Sequence, residues 1–246
     1  MACADKATTH TIAKVNLMNK IWLALLLTLA LSCTASILHA EDTVAAGNSA
    51  AGKGKASSCA SCHGENGNSA VATFPKLAQQ HSSYLANQLH AFKEGVRNNP
   101  VMSPMAMALS DADMLDIAAY YSAQNISANP APVLPPDENT DEPVDENKAK
   151  ETLQNLLAVG SNLYRNGNLT SEVSACIACH GPAGEGNKPA AFPALRSQHA
   201  DYLIQTLADF KSGARSNNPD NMMVMIAKKM SDEEIKAVSY HISTMK

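Results

Sequence analysis

Aromatic side chains are scarce in this chain, making up 4% of its 246 residues, and the single tryptophan, Trp22, lies near the N-terminus. Two domains of under about 100 residues each would be marginal if they had to fill their cores from such side chains alone. Spare cysteine is missing as well. Of six cysteines, Cys3 and Cys33 lie in the N-terminal segment and the other four form two close pairs, which leaves no thiol for a disulfide framework. Nothing resembles a nucleic-acid footprint, because the formal charge is −4 and no basic cluster interrupts the chain. Strand signals are weak throughout, so an all-α fold is expected.

Long apolar runs are confined to residues 21–38, which carry no charge. Lys20 precedes that stretch, and Leu38-His39-Ala40 and Glu41-Asp42 follow it, the layout of a secretory signal peptide cleaved after Ala40. An uncleaved membrane anchor is the alternative, since eighteen uncharged residues just reach across a thin bilayer. Met18-Asn19-Lys20 is itself an ordinary signal-peptide start, so for residues 1–17 an over-extended reading frame is the competing account. Removing residues 1–40, with three lysines and one aspartate, takes the formal charge from −4 to −6.

What is present is a repeated motif: Cys59-Ala-Ser-Cys62-His63 returns as Cys176-Ile-Ala-Cys179-His180. C-x-x-C-H reads as a site of covalent c-type haem attachment. Thiols three residues apart lie on one face of a helical turn, where both can form thioethers with one porphyrin, and the next residue offers an imidazole to the iron. Two such motifs imply two haems, with Cys59, Cys62, Cys176 and Cys179 covalently attached and His63 and His180 on the metal. Two C-x-x-C pairs also fit a four-thiolate zinc site, but that leaves both histidines and the surrounding repeat unexplained. Haem also supplies the buried apolar volume that the side chains lack, and its attachment to an exported chain points to the periplasm.

The repeat extends well beyond the motif. Phe74-Pro75-Lys76-Leu77 answers Phe192-Pro193-Ala194-Leu195, and His81, Tyr84, Leu85, Leu89, Phe92, Lys93, Gly95 and Arg97 each recur 118 positions later, ending at Arg215. Such order over a whole unit indicates a duplicated domain, at 45–126 and 148–246. Between them, residues 127–147 hold five prolines and six acids and read as a solvated, semi-extended linker. The flanking units then carry −2 (41–126) and +2 (148–246). Helices are expected over 45–58 and 148–164 ahead of each motif, and over 82–94 and 200–212 in the middle. Ser110 with Asp113 and Ser231 with Glu234 form capping-box signatures ahead of last helices over 114–123 and 235–245.

A His-ligated haem needs a second axial ligand if it is to carry electrons rather than bind oxygen or peroxide. Met102 and Met223 each stand eight residues before the capping serine, after loops running from Arg97 and from Arg215, and this matched offset selects them as the ligands. Met105, Met107, Met222 and Met225 are close alternatives, since a methionine in such a stretch is by default a core filler. The repeated His81 and His199 are rival ligands, but just ahead of the middle helix a hydrogen-bonding or capping role suits them better. His90 and His241 have no counterparts and read as ordinary helix or surface residues. Pro75 and Pro193, twelve and thirteen residues after the motif histidines, offer carbonyls that could fix the imidazoles.

Taken together, C-x-x-C-H, Phe-Pro-x-Leu, His-x-x-Tyr-Leu, a methionine loop and a Ser-Asp-capped helix, all present twice, resemble the dihaem cytochrome c4 family over residues 45–126 and 148–246. The resemblance implies two tandem class I cytochrome c domains with haem edges facing across a domain interface. It implies a periplasmic carrier, not itself an enzyme, that passes electrons from a quinol-oxidising complex (quinol-cytochrome c oxidoreductase) towards a terminal oxidase, at most loosely associated with the membrane. Carried over residue by residue, the thioether cysteines fall on Cys59, Cys62, Cys176 and Cys179, the proximal ligands on His63 and His180, and the distal ligands on Met102 and Met223. One departure is the acidic Pro-rich linker, longer than the family's usual connection, which leaves the tightness of packing between the domains open. The competing function is a dihaem peroxidase-like oxidoreductase, which needs one haem with an open or displaceable sixth position.

Overall fold

The computed structural model describes residues 47–134 and 145–246. The signal segment and the middle of the linker lie outside the described residues. Within them the chain is helical, and two isolated bridges, Asn168 with Val173 and Asn187 with Phe192, are the only strand-like pairings. No helix of the described residues is long and apolar enough to cross a membrane.

The first half contains α1 (Ser49–Lys55), α2 (Ser57–His63), α3 (Ser82–Lys93), α4 (Met102–Met107) and α5 (Asp111–Ser122). The second contains α6 (Glu146–Asn166), α7 (Ile177–His180), α8 (Ala200–Ser212), a 3-10 turn (Pro219–Asn221), α9 (Met222–Ala227) and α10 (Asp232–Thr244). Both predicted capping boxes form, Ser110 with Asp113 and Ser231 with Glu234. Two expectations are corrected. The single helix over 45–58 is instead two, broken at Ala56, and the cysteine motif itself forms the second. Two glycines among the seven residues of α1 make it a weak helix on its own. The methionine stretches, expected as loops, are short helices.

In each half the first and last long helices cross tightly. A Cβ on Gly52 would collide with the carbonyl of Asp116, and one on Gly160 with the carbonyl of Ala237. Glycine is thus required for α1 to rest on α5 and for α6 to rest on α10. The middle helix, α3 or α8, packs against α5 or α10 respectively and carries the short methionine helix on its flank. The first core is rich in small residues (Ala56, Leu85, Ala86, Ile117, Ala118, Tyr120, Tyr121), whereas the second holds Leu163, Tyr164, Val173, Leu203, Met230, Ile235, Val238 and Ile242.

The halves form one compact unit, which settles the packing that the linker left open. Gln80 donates from Nε2 to the carbonyl of Ala194 (2.8 Å) and accepts from the Ala194 N–H (2.9 Å). Its repeat counterpart Gln198 does the same to Lys76, at 3.0 and 2.9 Å. This reciprocal clasp places the halves about an approximate two-fold axis. Both ends of the expected linker are also engaged. Asn129 donates from Nδ2 to the carbonyls of Ser197, Gln198 and Ser243 (2.9–3.1 Å), Lys76 donates to the Ser127 carbonyl (2.8 Å), and Asp145 caps α6, of which Glu146 is the first residue. An amide side chain and charged groups that read as solvated spacer instead satisfy backbone groups of the folded halves.

Candidate haem sites

Each motif ends its helix on the histidine, and the next residue, Gly64 or Gly181, turns the chain away with φ of 79° or 76°. That turn lets the loop return the Phe-Pro segment beneath the imidazole. His63 donates from Nδ1 to the Pro75 carbonyl at 2.8 Å, and His180 to the Pro193 carbonyl at 2.9 Å. The proline carbonyls thus act as the spacing suggests. With Nδ1 protonated, Nε2 carries the free lone pair. Burial pushes both imidazoles below the usual histidine range, and the carbonyl bonds oppose this only partly, which favours the neutral, ligating form. Phe74 and Phe192 tilt against the two rings, with centroids 6.4 and 6.5 Å away.

None of the four motif cysteines is in a disulfide, and all are half-buried. They open on one continuous cavity of about 1320 Å³, which is also lined by His63, His180, Met102 and Met223. That volume exceeds the roughly 300–1,000 Å³ of an ordinary small-molecule pocket. Met105, Met222 and Met225 share the lining, whereas Met107 points to solvent and does not. Among the described residues no cluster of three or more His, Cys, Asp or Glu side chains suits a bare metal ion.

The other histidines are placed differently. His81 and His199 occupy N-cap positions without a side-chain capping bond, and His199 Nε2 instead lies 3.0 Å from the Ser69 carbonyl in the other half. Neither lines the cavity. His90 faces Asp111 at 3.9 Å, and His241, expected as an ordinary residue, is packed against Tyr164 with its Nε2 buried.

Four site residues went unassigned in the sequence although they lie in its repeat. Tyr84, Arg97, Tyr202 and Arg215 line the cavity where the halves meet. No carboxylate among the described residues pairs with either arginine, and Arg215 is only 6% exposed. Their repetition at a common offset is the signal that could have found them, together with the Gln80 and Gln198 clasp. The site therefore offers two pairs of thiols, two fixed imidazoles with free Nε2 atoms, two thioethers, an apolar cavity and two cations, Arg215 buried and Arg97 half-buried, lacking protein counter-charges. That donor set fits two covalently held haems, whose rings are apolar and whose side chains are acidic.

The fold and this doubled site define a two-domain c-type cytochrome. The family model described as Cytochrome c matches residues 49–123 and 157–246. Cytochrome c4 of Azotobacter vinelandii is 39% identical over 235 residues, covering 92% of this chain and 98% of that protein. The crystal structure of reduced recombinant cytochrome c4 from Pseudomonas stutzeri superposes with a TM-score of 0.71 at 37% identity, over 82% of this chain and all of that one. A thiosulfate dehydrogenase electron acceptor of Stutzerimonas stutzeri is 37% identical, over 77% of this chain and 80% of that protein. The chain belongs to the dihaem cytochrome c4 family, and with it to electron carriers that hold two covalent haem c groups.

Proposed function

We propose that residues 45–126 and 148–246 each hold one haem, attached through Cys59 and Cys62 or Cys176 and Cys179, with His63 and Met102 or His180 and Met223 as axial ligands. The observation that carries this reading is the pair of Nδ1-to-proline bonds, which aim two free Nε2 atoms into a cavity that also receives both methionines. The bound haem iron supplies a one-electron couple. The chain's own part is to hold the imidazoles in one tautomer, exclude water with apolar side chains, and fill the second axial position with a thioether, leaving no coordination position open for chemistry. The protein is accordingly a carrier rather than an enzyme. Export by the N-terminal segment places it in the periplasm, where it takes electrons from a quinol-oxidising complex and delivers them towards a terminal oxidase. The thiosulfate dehydrogenase electron acceptor among its relatives supports a second donor, a sulfur-compound dehydrogenase.

Intact mass of the denatured protein should show two haems retained, and the spectrum two low-spin irons that do not bind carbon monoxide. Met102→Ala or Met223→Ala should each abolish one sulfur-to-iron charge-transfer band and open that iron to carbon monoxide. If the band survives, Met105 or Met222 is the ligand. A wild-type haem that is high-spin and reacts with peroxide would move the protein to the peroxidase-like class. Reduction rates with a quinol-oxidising complex and with a thiosulfate-oxidising enzyme separate the two donors.

A further inference from the structure

The contacts around Arg97 and Arg215 cross from one half to the other. Arg97, in the first half, donates from Nη2 to Tyr202 Oη in the second at 3.3 Å, and Arg215, in the second, donates from Nη2 to Tyr84 Oη in the first at 2.9 Å. A single oxygen, Gln88 Oε1, accepts from Arg97 Nη1 at 2.8 Å and from Arg215 Nη2 at 3.0 Å. Each guanidinium also lies flat over a phenylalanine of its own half, Phe92 at 4.6 Å and Phe210 at 4.5 Å from the ring centroid.

Two like charges brought to one carbonyl oxygen repel, and buried charges are normally paired. Neither guanidinium has a carboxylate partner among the described residues, and both line the common cavity. Their unspent charge registers on one of the crossed phenols: burial pushes the Tyr202 hydroxyl up, but Arg97 and Arg215 outweigh it and draw its pKa down to about 8. The phenyl faces and the crossed phenols fix both forks in place, which leaves them poised for bidentate pairing with carboxylates.

We propose that Arg97 and Arg215 form one dicationic seat, shared by the two halves, for the acidic side chains of both haems, so that each arginine sets the potential of both haems rather than of its own alone. This rests on the two-haem reading above. A nearby positive charge favours the reduced, more electron-rich state, and at comparable distances it acts on both irons.

The test is a potentiometric titration of the intact holoprotein, its two waves assigned to the halves with Met102→His and Met223→His. Arg97→Gln, at the more exposed of the two positions, should lower both midpoint potentials by amounts within about twofold of each other. Arg215→Gln should do the same, and Arg215→Lys, which keeps a charge, should recover most of the shift in both. Tyr202→Phe breaks one crossed bond and keeps both cations, so it should lower thermal stability and leave both waves near wild type; Lys53→Gln, on an exposed turn of α1, should change neither. If Arg97→Gln moves only the first half's wave, or no wave, the shared seat is wrong. If it shifts stability while the potentials stay put, the arginines are only interface struts, and the proposal falls. Wild-type protein lacking two low-spin haems would overturn the two-haem reading instead, before any variant is compared.

Discussion

The crossing of the first and last long helices is built twice, from different chemistry. In both halves a glycine, Gly52 or Gly160, rests on a carbonyl of the last helix. One turn further along α1, Lys55 reaches Asp113 and Asp116 on α5 at 2.7 and 2.6 Å. At the positions matching Lys55 and Asp116 stand Leu163 and Ala237, both buried, while Glu234, which matches Asp113, accepts from Asn168 Nδ2 at 2.7 Å instead of pairing with a lysine. The buried tyrosine changes sides as well. Tyr120 on α5 donates to the Glu65 carbonyl at 2.8 Å, while in the second half the hydroxyl comes from the opposite helix, Tyr164 on α6 donating to the Gly181 carbonyl at 2.6 Å. Ala56 and His241 fill the positions so vacated. Only the close backbone approach and a tyrosine donor to the turn after the motif histidine are held constant, the acceptor being the second residue after His63 but the first after His180. The side chains that supply the remaining contacts are interchangeable.

The strongest way to break this comparison is to remove one haem at a time. Replacing Cys59 and Cys62 with alanine should cost one haem and most of the helix signal of the first half, whose core cluster carries three alanines where the second carries none. The same change at Cys176 and Cys179 should leave α6 and α10 partly protected, because Leu163, Val238 and Ile242 still pack. Circular dichroism and hydrogen exchange of the two variants check this, and equal collapse of both halves would remove the distinction. Next in size, Gly52→Ala and Gly160→Ala should each destabilise their half by about 1–3 kcal/mol, since the added methyl group meets backbone. Thermal melts giving very different costs would show that the two crossings are not equivalent.

Smaller still, Tyr120→Phe and Tyr164→Phe should cost about 1 kcal/mol or somewhat more each, the price of leaving a buried carbonyl unpaired. Equal losses in denaturant titrations would establish that the hydroxyl matters and the helix supplying it does not. The least effect belongs to the ion triad. Hydrogen bonds from Lys55 hold the Asp113 and Asp116 carboxyls below the usual range. A carboxylate lowered in the folded state stabilises above its unfolded pKa of about 3.9, and that support drains away as pH falls through the folded value. Below about pH 4 the crossing of α1 on α5 should therefore lose a support that the crossing of α6 on α10, with Leu163 and Ala237 in place of Lys55 and Asp116, does not depend on, and Lys55→Gln should erase that local acid sensitivity while barely altering stability at neutral pH. Residue-resolved hydrogen exchange during acid titration reads both outcomes.

Local signals were the ones legible in the sequence. The capping serines act within one turn and the proline carbonyls over twelve or thirteen residues, and both make the bonds expected of them, while the motif cysteines and histidines line one cavity. Glycine, by contrast, carries no pattern of its own: Gly52 and Gly160 are informative only once the facing carbonyl is known. Composition describes a segment in isolation, so nothing in Asn129 or Asp145 announces which backbone groups they satisfy at the two ends of the linker. Tyr164 and Tyr120 share no register in the repeat, so aligning the halves could not reveal that they do the same task. Arg97 and Arg215 were visible as repeated residues, but their lack of carboxylate partners is a property of three-dimensional surroundings.

The reciprocal grip of Gln80 on Ala194 and of Gln198 on Lys76 has the form of an isologous contact, in which residue i meets j and j meets i, as in a dimer of identical subunits. A half of this chain would meet nothing foreign in a second copy of itself. Covalent linkage then adds effective concentration rather than new contacts. Held together in that way, the two copies need not be identical away from the clasp, as the different side chains at the two helix crossings show.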